Sequence, residues 1–249
     1  MVPSRYWSYA ANVSCFPDNP WPITVQSVQA QESWTGQRLS QGFLTRNPGG
    51  TVSGRWPRPD PVAAKPGIRN PARTWLQSLP TDPYQLLQIL YAESAYLGSD
   101  RNVNAFSAIG RLLSSTVLPP AAEAAIYWAA ALIPGVTLIP GTTDMTGRAG
   151  FGIALTDAAG LQCEWIFSKD TYTFLGTRAT QVTNLASLPL MARPAAKSAH
   201  GFPGPEPGTW IVEPGTFVPG PKAGTLLAET AIVARGAADS LGGEPTLFA

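Results

Sequence analysis

A chain of 249 residues is long enough to bury a substantial hydrophobic core, and we expect one domain over residues 1–249. Charged residues make up only 13% of it, and 17 basic against 16 acidic side chains leave a formal net charge of +1. This balance offers no basic surface to nucleic acid, so we expect no nucleic-acid partner.

The N-terminal part of the chain predicts β-strands. Aromatic and β-branched residues alternate with polar ones over 5–13, 23–35, 38–45 and 51–56, as is typical of strands. Five prolines follow in residues 57–71. Because proline lacks the backbone N–H that a sheet needs, we expect this range to be an exposed connector.

Residues 72–133 predict helices. Asp82 stands where an N-cap belongs, Pro83 takes the first helical position, and Gln85 takes the third, as in a capping box. Further helices are predicted at 73–78, from about 100 to 118, and at 121–132. The second of these carries apolar residues at helical spacing, Phe106, Ile109, Leu113 and Val117.

The helix at 121–132 is apolar over most of its surface, so we expect it to be well covered by other parts of the chain. It contains Glu123 and is stopped by Pro134, and no apolar run approaches the roughly 18 residues of a membrane span. The first five residues do not have the form of a signal peptide. As written, the chain is expected to be soluble, either by itself or as an outside domain separated from an upstream anchor.

The chain returns to strands after Pro134. Strands are predicted at 136–139, 150–156, 161–167 and 172–182, joined by turns of hairpin length, and a last strand at 225–234. In the predicted strands 150–156 and 161–167, every second residue is apolar. This pattern places the following residues on buried faces: Phe151, Ile153, Leu155, Leu161, Cys163, Trp165 and Phe167. Residues 186–223 are rich in Pro and Gly without periodicity, which predicts a loop or insertion.

This order of elements predicts an α+β fold. We expect one curved antiparallel β-sheet, a half-barrel, with about three helices packed on its concave face. One face of the sheet would be buried and the other would be solvated.

Several short motifs occur in an order that points to a family. They are Tyr6-Trp7-Ser8-Tyr9, Glu32-Ser33-Trp34, Leu79-Pro80-Thr81-Asp82-Pro83, Leu132-Ile133-Pro134-Gly135-Val136, Asp144-Met145-Thr146-Gly147-Arg148 and the tail 231–239. In this order the chain resembles an uncharacterised family of actinobacterial proteins often encoded beside extracytoplasmic-function sigma factors. Its members usually carry a cytoplasmic stretch and one membrane span before this domain, and residues 1–249 predict neither of these segments.

The resemblance has implications for fold and location. The domain is similar to the half-barrel of lipoprotein carriers and of periplasmic sigma-factor regulators. The resemblance also implies an extracytoplasmic or membrane-associated location, although function does not follow from fold alone.

Aromatic residues provide the candidate ligand-binding set. They fall on predicted strands and helices where they would line an apolar cleft between the two layers, which would suit an acyl chain or a lipid. The alternative is an ordinary aromatic core built from the same side chains. The set comprises Trp7, Trp34, Trp56, Phe106, Trp128, Trp165, Tyr172 and Phe174.

Catalytic groups are sparse. His200 is the only histidine and lies in the irregular range 186–223, which argues against a Ser-His-Asp triad. Glu32 and Glu164 lie in strands beside tryptophans, and they would form an acid–base pair if both faced one cavity. Otherwise they are solvent-facing strand carboxylates.

No metal or cofactor is expected. The chain has no Cys/His spacing for zinc, no phosphate loop and no dinucleotide fingerprint. Asp144 with Gly147 and Arg148 predicts a β-turn rather than a calcium loop. Cys15 and Cys163 are the only cysteines, and they form either one disulfide or two buried thiols.

The sequence therefore predicts a protein that is not an enzyme. We expect an extracytoplasmic-type domain that binds a lipid, an acyl chain or a membrane-associated protein partner, in envelope sensing or sigma-factor regulation. The alternatives are an enzyme that uses Glu32 and Glu164, and a degenerate paralogue without activity.

Overall fold

The structure is a computed structural model. It describes residues 7–17, 26–36, 43–47, 52–55, 65–69, 71–98, 100–185, 188–189, 217–218, 220–239 and 245–247. The strands are β1 (Trp7–Pro17), β2 (Gln26–Gly36), β3 (Phe43–Arg46), β4 (Val52–Arg55), β5 (Thr137–Thr143), β6 (Ala149–Thr156), β7 (Leu161–Ser168), β8 (Phe174–Gln181), β9 (Leu188–Pro189), β10 (Phe217–Val218), β11 (Thr225–Ala238) and β12 (Pro245–Leu247). The helices are α1 (Arg73–Ser78), α2 (Pro83–Ser94), α3 (Arg101–Ser115) and α4 (Pro120–Ala131), and a 3₁₀ turn, Ala95–Leu97, follows α2.

The main sheet is antiparallel and curls into a half-barrel. Its strand order is β4-β3-β2-β1-β11-β8-β7-β6-β5, and β12 also pairs with β11. The short strands β9 and β10 form a separate ribbon. The helices pack against one face of β6, β7, β8 and β11. This arrangement confirms the predicted α+β half-barrel.

The helix starts follow from local capping. The Asp82 carboxylate accepts a hydrogen bond from the Gln85 backbone N–H at 2.8 Å, and Pro83 is the first residue of α2. Asp100 caps α3 in the same way, accepting from the N–H groups of Asn102 and Val103. Both caps satisfy N–H groups that have no partner inside the helix, which fixes where each helix begins.

Two predicted boundaries differ from the structure. Val117 lies beyond α3, because Thr116 is already extended and the following Pro119-Pro120 disfavours helical backbone before it. Tyr172 lies in the β7–β8 turn with a φ of 59°, and β8 begins only at Phe174.

The described end of the predicted connector is exposed at Lys65, Pro66 and Arg69 but buried at one residue, Ile68. Ile68 is buried against the helices, and its N–H donates to the Glu93 carboxylate at 2.7 Å. Residues 57–64, and most of 186–223, lie outside the described residues.

The two faces of the sheet are both buried in its central strands. Trp165, Phe167 and Leu155 pack into the helical core, as the alternation predicts. On the opposite face, Ile166 and Ala231 have no exposed surface, so the expected solvated face is not observed here.

Candidate functional site

A cavity of about 420 Å³ lies between α3 and strands β7, β8 and β11. Its apolar part is formed by Phe106 of α3 and Trp165 of β7, with Ala179 and Ala228 from the neighbouring strands. A volume of this size is within the range of small-molecule pockets, roughly 300–1,000 Å³. The cavity is therefore the leading candidate for a binding site.

The floor of the cavity is a pair of stacked aromatic rings. The Phe106 and Trp165 rings are nearly parallel, with centroids 3.8 Å apart and an interplanar angle of 8°. Both side chains are almost fully buried, so their positions are fixed by packing. Gly110, one turn further along α3, leaves the space that lets the helix approach the indole.

The mouth of the cavity is polar. Arg111 is exposed there, and its guanidinium donates to the Tyr96 hydroxyl at 3.3 Å. The Ser114 and Ser115 hydroxyls donate to carbonyls of the preceding turn of α3, which leaves their oxygens free to accept. An apolar floor below a cationic, hydroxyl-rich mouth suits an amphipathic molecule with a negatively charged end.

A cysteine also lines this cavity. Cys163 is half-buried, and burial together with nearby Asp157 raises the pKa of its thiol. The thiol is therefore predominantly protonated at neutral pH, which disfavours a nucleophilic role.

The predicted aromatic set is not brought together in one cleft. Phe106 and Trp165 meet at the α3 cavity, and Phe174 lies at a second cavity. Trp34 is buried in a separate small cluster with Ala238, and Trp128 is 70% exposed.

The other three members of the aromatic set do not line either cavity among the described residues. Tyr172 is 70% exposed in its turn. Only the backbone of Trp7 is described, paired with Gly36 and Ala238, and Trp56 lies outside the described residues.

The two candidate catalytic carboxylates are far apart. Glu32 is on β2 and Glu164 is on β7, with β1, β11 and β8 between them. Each has its own cation, because Arg46 contacts Glu32 at 3.1 Å and Arg178 contacts Glu164 at 3.4 Å. The structure does not form the acid–base pair, and Glu164 is buried rather than solvent-facing.

Sequence reasoning missed a buried ionic network on the second face of the sheet. Arg178 of β8 lies between Glu164 and Glu229, its directly paired neighbours on β7 and β11. Its Nη2 is 2.6 Å from Glu229 Oε1, and its Nη1 donates to Thr142 Oγ1 at 2.9 Å. Pairing Arg178 with two carboxylates stabilises charges that would otherwise be costly to bury.

The two cysteines are separated by the strand order. Cys15 lies on β1 opposite Glu229, and Cys163 lies on β7 opposite Ala179. The intervening strands β11 and β8 put them about 14 Å apart along the sheet, at roughly 4.8 Å per spacing. A disulfide needs Cα atoms within about 7 Å, and the Cys163 thiol is free.

Asp144 forms the predicted β-turn. Gly147 N–H donates to the Asp144 carbonyl at 2.9 Å, and Gly147 has a positive φ, which suits glycine. The Asp144 carboxylate accepts from the Thr146 N–H and from Arg148 Nε at 2.7 Å. His200 lies outside the described residues, and no cluster of three metal-ligating side chains occurs among the residues that the structure describes.

No protein-family model matches the chain, and neither the curated proteins nor the solved structures give a significant match. The resemblance to the actinobacterial family stays a prediction. Among the described helices, none has the length and apolar character of a membrane span.

Proposed function

We propose that this chain is a non-catalytic binding domain for an amphipathic molecule with an acyl chain, held in the α3 cavity. The observation that carries the proposal is the cavity itself, whose apolar floor of Phe106 and Trp165 lies below a mouth that presents Arg111. The acyl chain would lie against the stacked rings, and a carboxylate would be held at the guanidinium.

The floor and the mouth have different roles in this proposal. Burial of the acyl chain would supply most of the affinity, at about 0.8 kcal/mol for each methylene removed from water. Arg111 is exposed, so its attraction to a carboxylate is screened, and it would contribute mainly to orientation and selectivity.

The cellular setting belongs to the same proposal. An extracytoplasmic domain that senses envelope lipids or takes part in sigma-factor regulation is what the family resemblance implies. Within that setting, an acyl ligand in the α3 cavity would be the signal that the domain detects.

A membrane-associated protein partner is the second candidate, and one residue favours it. Trp128 lies on the outer side of α4 with 70% of its surface exposed, an uncommon position for tryptophan. Exposed tryptophans are enriched among the residues that dominate protein interfaces.

Calorimetric titration with dodecanoate and with dodecanol tests the acyl-ligand proposal. We expect dodecanoate to bind, and Ala228→Leu, which fills the cavity, to weaken its binding by tenfold or more. Ala158→Leu is a matched control, because Ala158 lies in an exposed turn away from the cavity. Arg111→Gln should reduce the preference for dodecanoate over dodecanol while leaving dodecanol binding unchanged.

Two results would contradict the proposal. One is no binding of either ligand to the unmodified chain at millimolar concentration. The other is binding that Ala228→Leu leaves unchanged, which would move the ligand to another surface.

A further inference from the structure

A second cavity, of about 330 Å³, lies at the end of the sheet where β8 begins. It is bounded by Leu118 in the α3–α4 connection, by Phe174 of β8 and by Ile232 of β11. Its charged lining consists of Glu123, Arg148 and Arg235. It is therefore an apolar pocket that carries charges of both signs.

Arg148 is already neutralised. Its guanidinium is 2.5 Å from Asp144 Oδ2, and its Nη2 also donates to the Ile232 carbonyl at 2.8 Å. With these partners in place, Arg148 contributes little net charge to the cavity.

Arg235 and Glu123 are different, because they share the cavity wall without forming an ion pair. Among the described side chains, no carboxylate oxygen lies within 4 Å of the Arg235 guanidinium. Arg235 donates to the Leu113 carbonyl and lies 5.6 Å from the centroid of the Phe174 ring. Burial lowers its pKa, but arginine stays protonated at neutral pH.

Hydrogen bonds hold the two charges in their separate positions. The Tyr127 hydroxyl donates to Glu123 Oε1 at 2.6 Å, one turn along α4. Burial, and then the neighbouring Glu123 carboxylate, raise the pKa of Tyr127, so this hydroxyl stays protonated. Leu113 holds the guanidinium from the other side. A cation and an anion are thus fixed apart at the wall of one cavity.

The pairing of charges selects the class of ligand. A phosphate or another dianion would be repelled by Glu123, and a simple cation would be repelled by the Arg235 guanidinium. A molecule that carries both charges satisfies both partners, and an apolar side chain on it would contact Leu118, Phe174 and Ile232.

We propose that the second cavity binds a free α-amino acid with an apolar side chain, its carboxylate on Arg235 and its ammonium on Glu123. This site is separate from the α3 cavity, so it does not depend on the proposed acyl ligand. The domain would then bind two different ligands, of which the second is a small water-soluble molecule.

The test compares three ligands on the unmodified protein by isothermal titration at pH 7. They are L-leucine, leucinamide, which lacks the carboxylate, and N-acetyl-leucine, which lacks the ammonium. We expect L-leucine to bind at least about tenfold more tightly than either blocked form, because each loses a charged hydrogen bond. This comparison does not depend on the folding of any variant.

Glu123→Gln tests the ammonium partner. Glutamine keeps an oxygen that accepts from the Tyr127 hydroxyl but removes the negative charge, so L-leucine should weaken to the level of N-acetyl-leucine. Ala228→Leu, in the other cavity, should leave L-leucine binding unchanged. The proposal is overturned if L-leucine does not bind at millimolar concentration, or if N-acetyl-leucine binds as tightly as L-leucine.

Discussion

Gly110 and Trp165 approach so closely that no methyl group fits between them. A Cβ built on Gly110 would lie 2.7 Å from the indole Nε1, a distance that real Cβ contacts essentially never show. The indole cannot yield easily, because it is buried and stacked on Phe106. The close packing of α3 on the sheet, and with it the shape of the α3 cavity, therefore requires glycine at position 110.

Gly110→Ala should lower the free energy of unfolding by about 1–2 kcal/mol. Overpacking costs roughly 1–3 kcal/mol, and the better helix propensity of alanine returns up to about 1 kcal/mol. Urea denaturation measures the change. Gly141→Ala is the control, since a Cβ there meets nothing within 4 Å. A Gly110→Ala variant as stable as the parent would contradict the close contact.

Arg178→Met should destabilise the fold by about 3–5 kcal/mol, because it leaves Glu164 and Glu229 buried without their cation. The matched control is Arg46→Met, which breaks the half-exposed pair with Glu32 and should cost about 1 kcal/mol, including the contact of Arg46 with the Trp34 ring. Denaturant unfolding of both variants gives the comparison. Equal decreases in the free energy of unfolding of the two variants would show that the buried network contributes no more to stability than the half-exposed pair.

Asp144 should make the stability of the fold sensitive to acid. Burial alone would raise the pKa of this carboxyl, but hydrogen bonds from Arg148 and Thr146 outweigh it and hold the pKa below its usual value. The carboxylate therefore stabilises the folded state above about pH 4, the unfolded value, and this contribution is lost as the pH falls through the lower folded value.

Asp144→Asn should remove that part of the acid sensitivity. Its free energy of unfolding should be lower than that of the parent at pH 7 and should fall less between pH 5 and pH 2. Asp170→Asn, in an exposed turn, serves as the control. A pH profile of Asp144→Asn identical to that of the parent would rule out the assigned role of Asp144.

Cys163 should react slowly with a thiol reagent. In a Cys15→Ser background it is the only thiol, and burial, followed by the effect of Asp157, raises its pKa. We expect the labelling rate of the folded chain to reach half its maximum above the usual value of about pH 8.5. Bound dodecanoate should slow labelling further, because Cys163 lines the α3 cavity. A midpoint at or below pH 8.5 would contradict this environment.

Local signals predict the parts of the fold that need only neighbouring residues. The α2 start is determined by Asp82, Pro83 and Gln85, which lie within one turn, and the structure has the predicted cap. The alternation in β7 likewise requires only the two-residue period of a strand, and it correctly places Trp165 and Phe167 against the helices.

Hydrophobicity alone predicts that the helix at 121–132 is well covered, but Trp128 on this helix is exposed. The buried stripe of α4 consists of small residues and one isoleucine, Ala122, Ala125, Ile126, Ala129 and Ala130. This stripe has helical spacing, but because most of the helix is apolar, the alanines give little contrast with Trp128 on the outer side. The face of α4 that is buried is the one with small side chains, rather than the one with the most hydrophobic side chain.

The Arg178 network and the second cavity depend on long-range register. Glu229 meets Arg178 only because β11 pairs with β8 across the long connection 182–224, and no turn of fixed length determines that register. Arg235 and Glu123 line one cavity although 111 residues of sequence separate β11 from α4 at these positions. Sequence patterns identify these residues as strand or helix positions but do not indicate that they become neighbours.

The position of β11 has a consequence for the order in which the sheet is completed. This strand lies between β1 and β8, so it joins the strands that come first along the chain to the later meander. During synthesis, β1 and β8 would both remain unpaired along these edges until residues 225–238 emerge. Open strand edges favour aggregation, so the growing chain is at its most vulnerable while the central strand of its sheet is still missing.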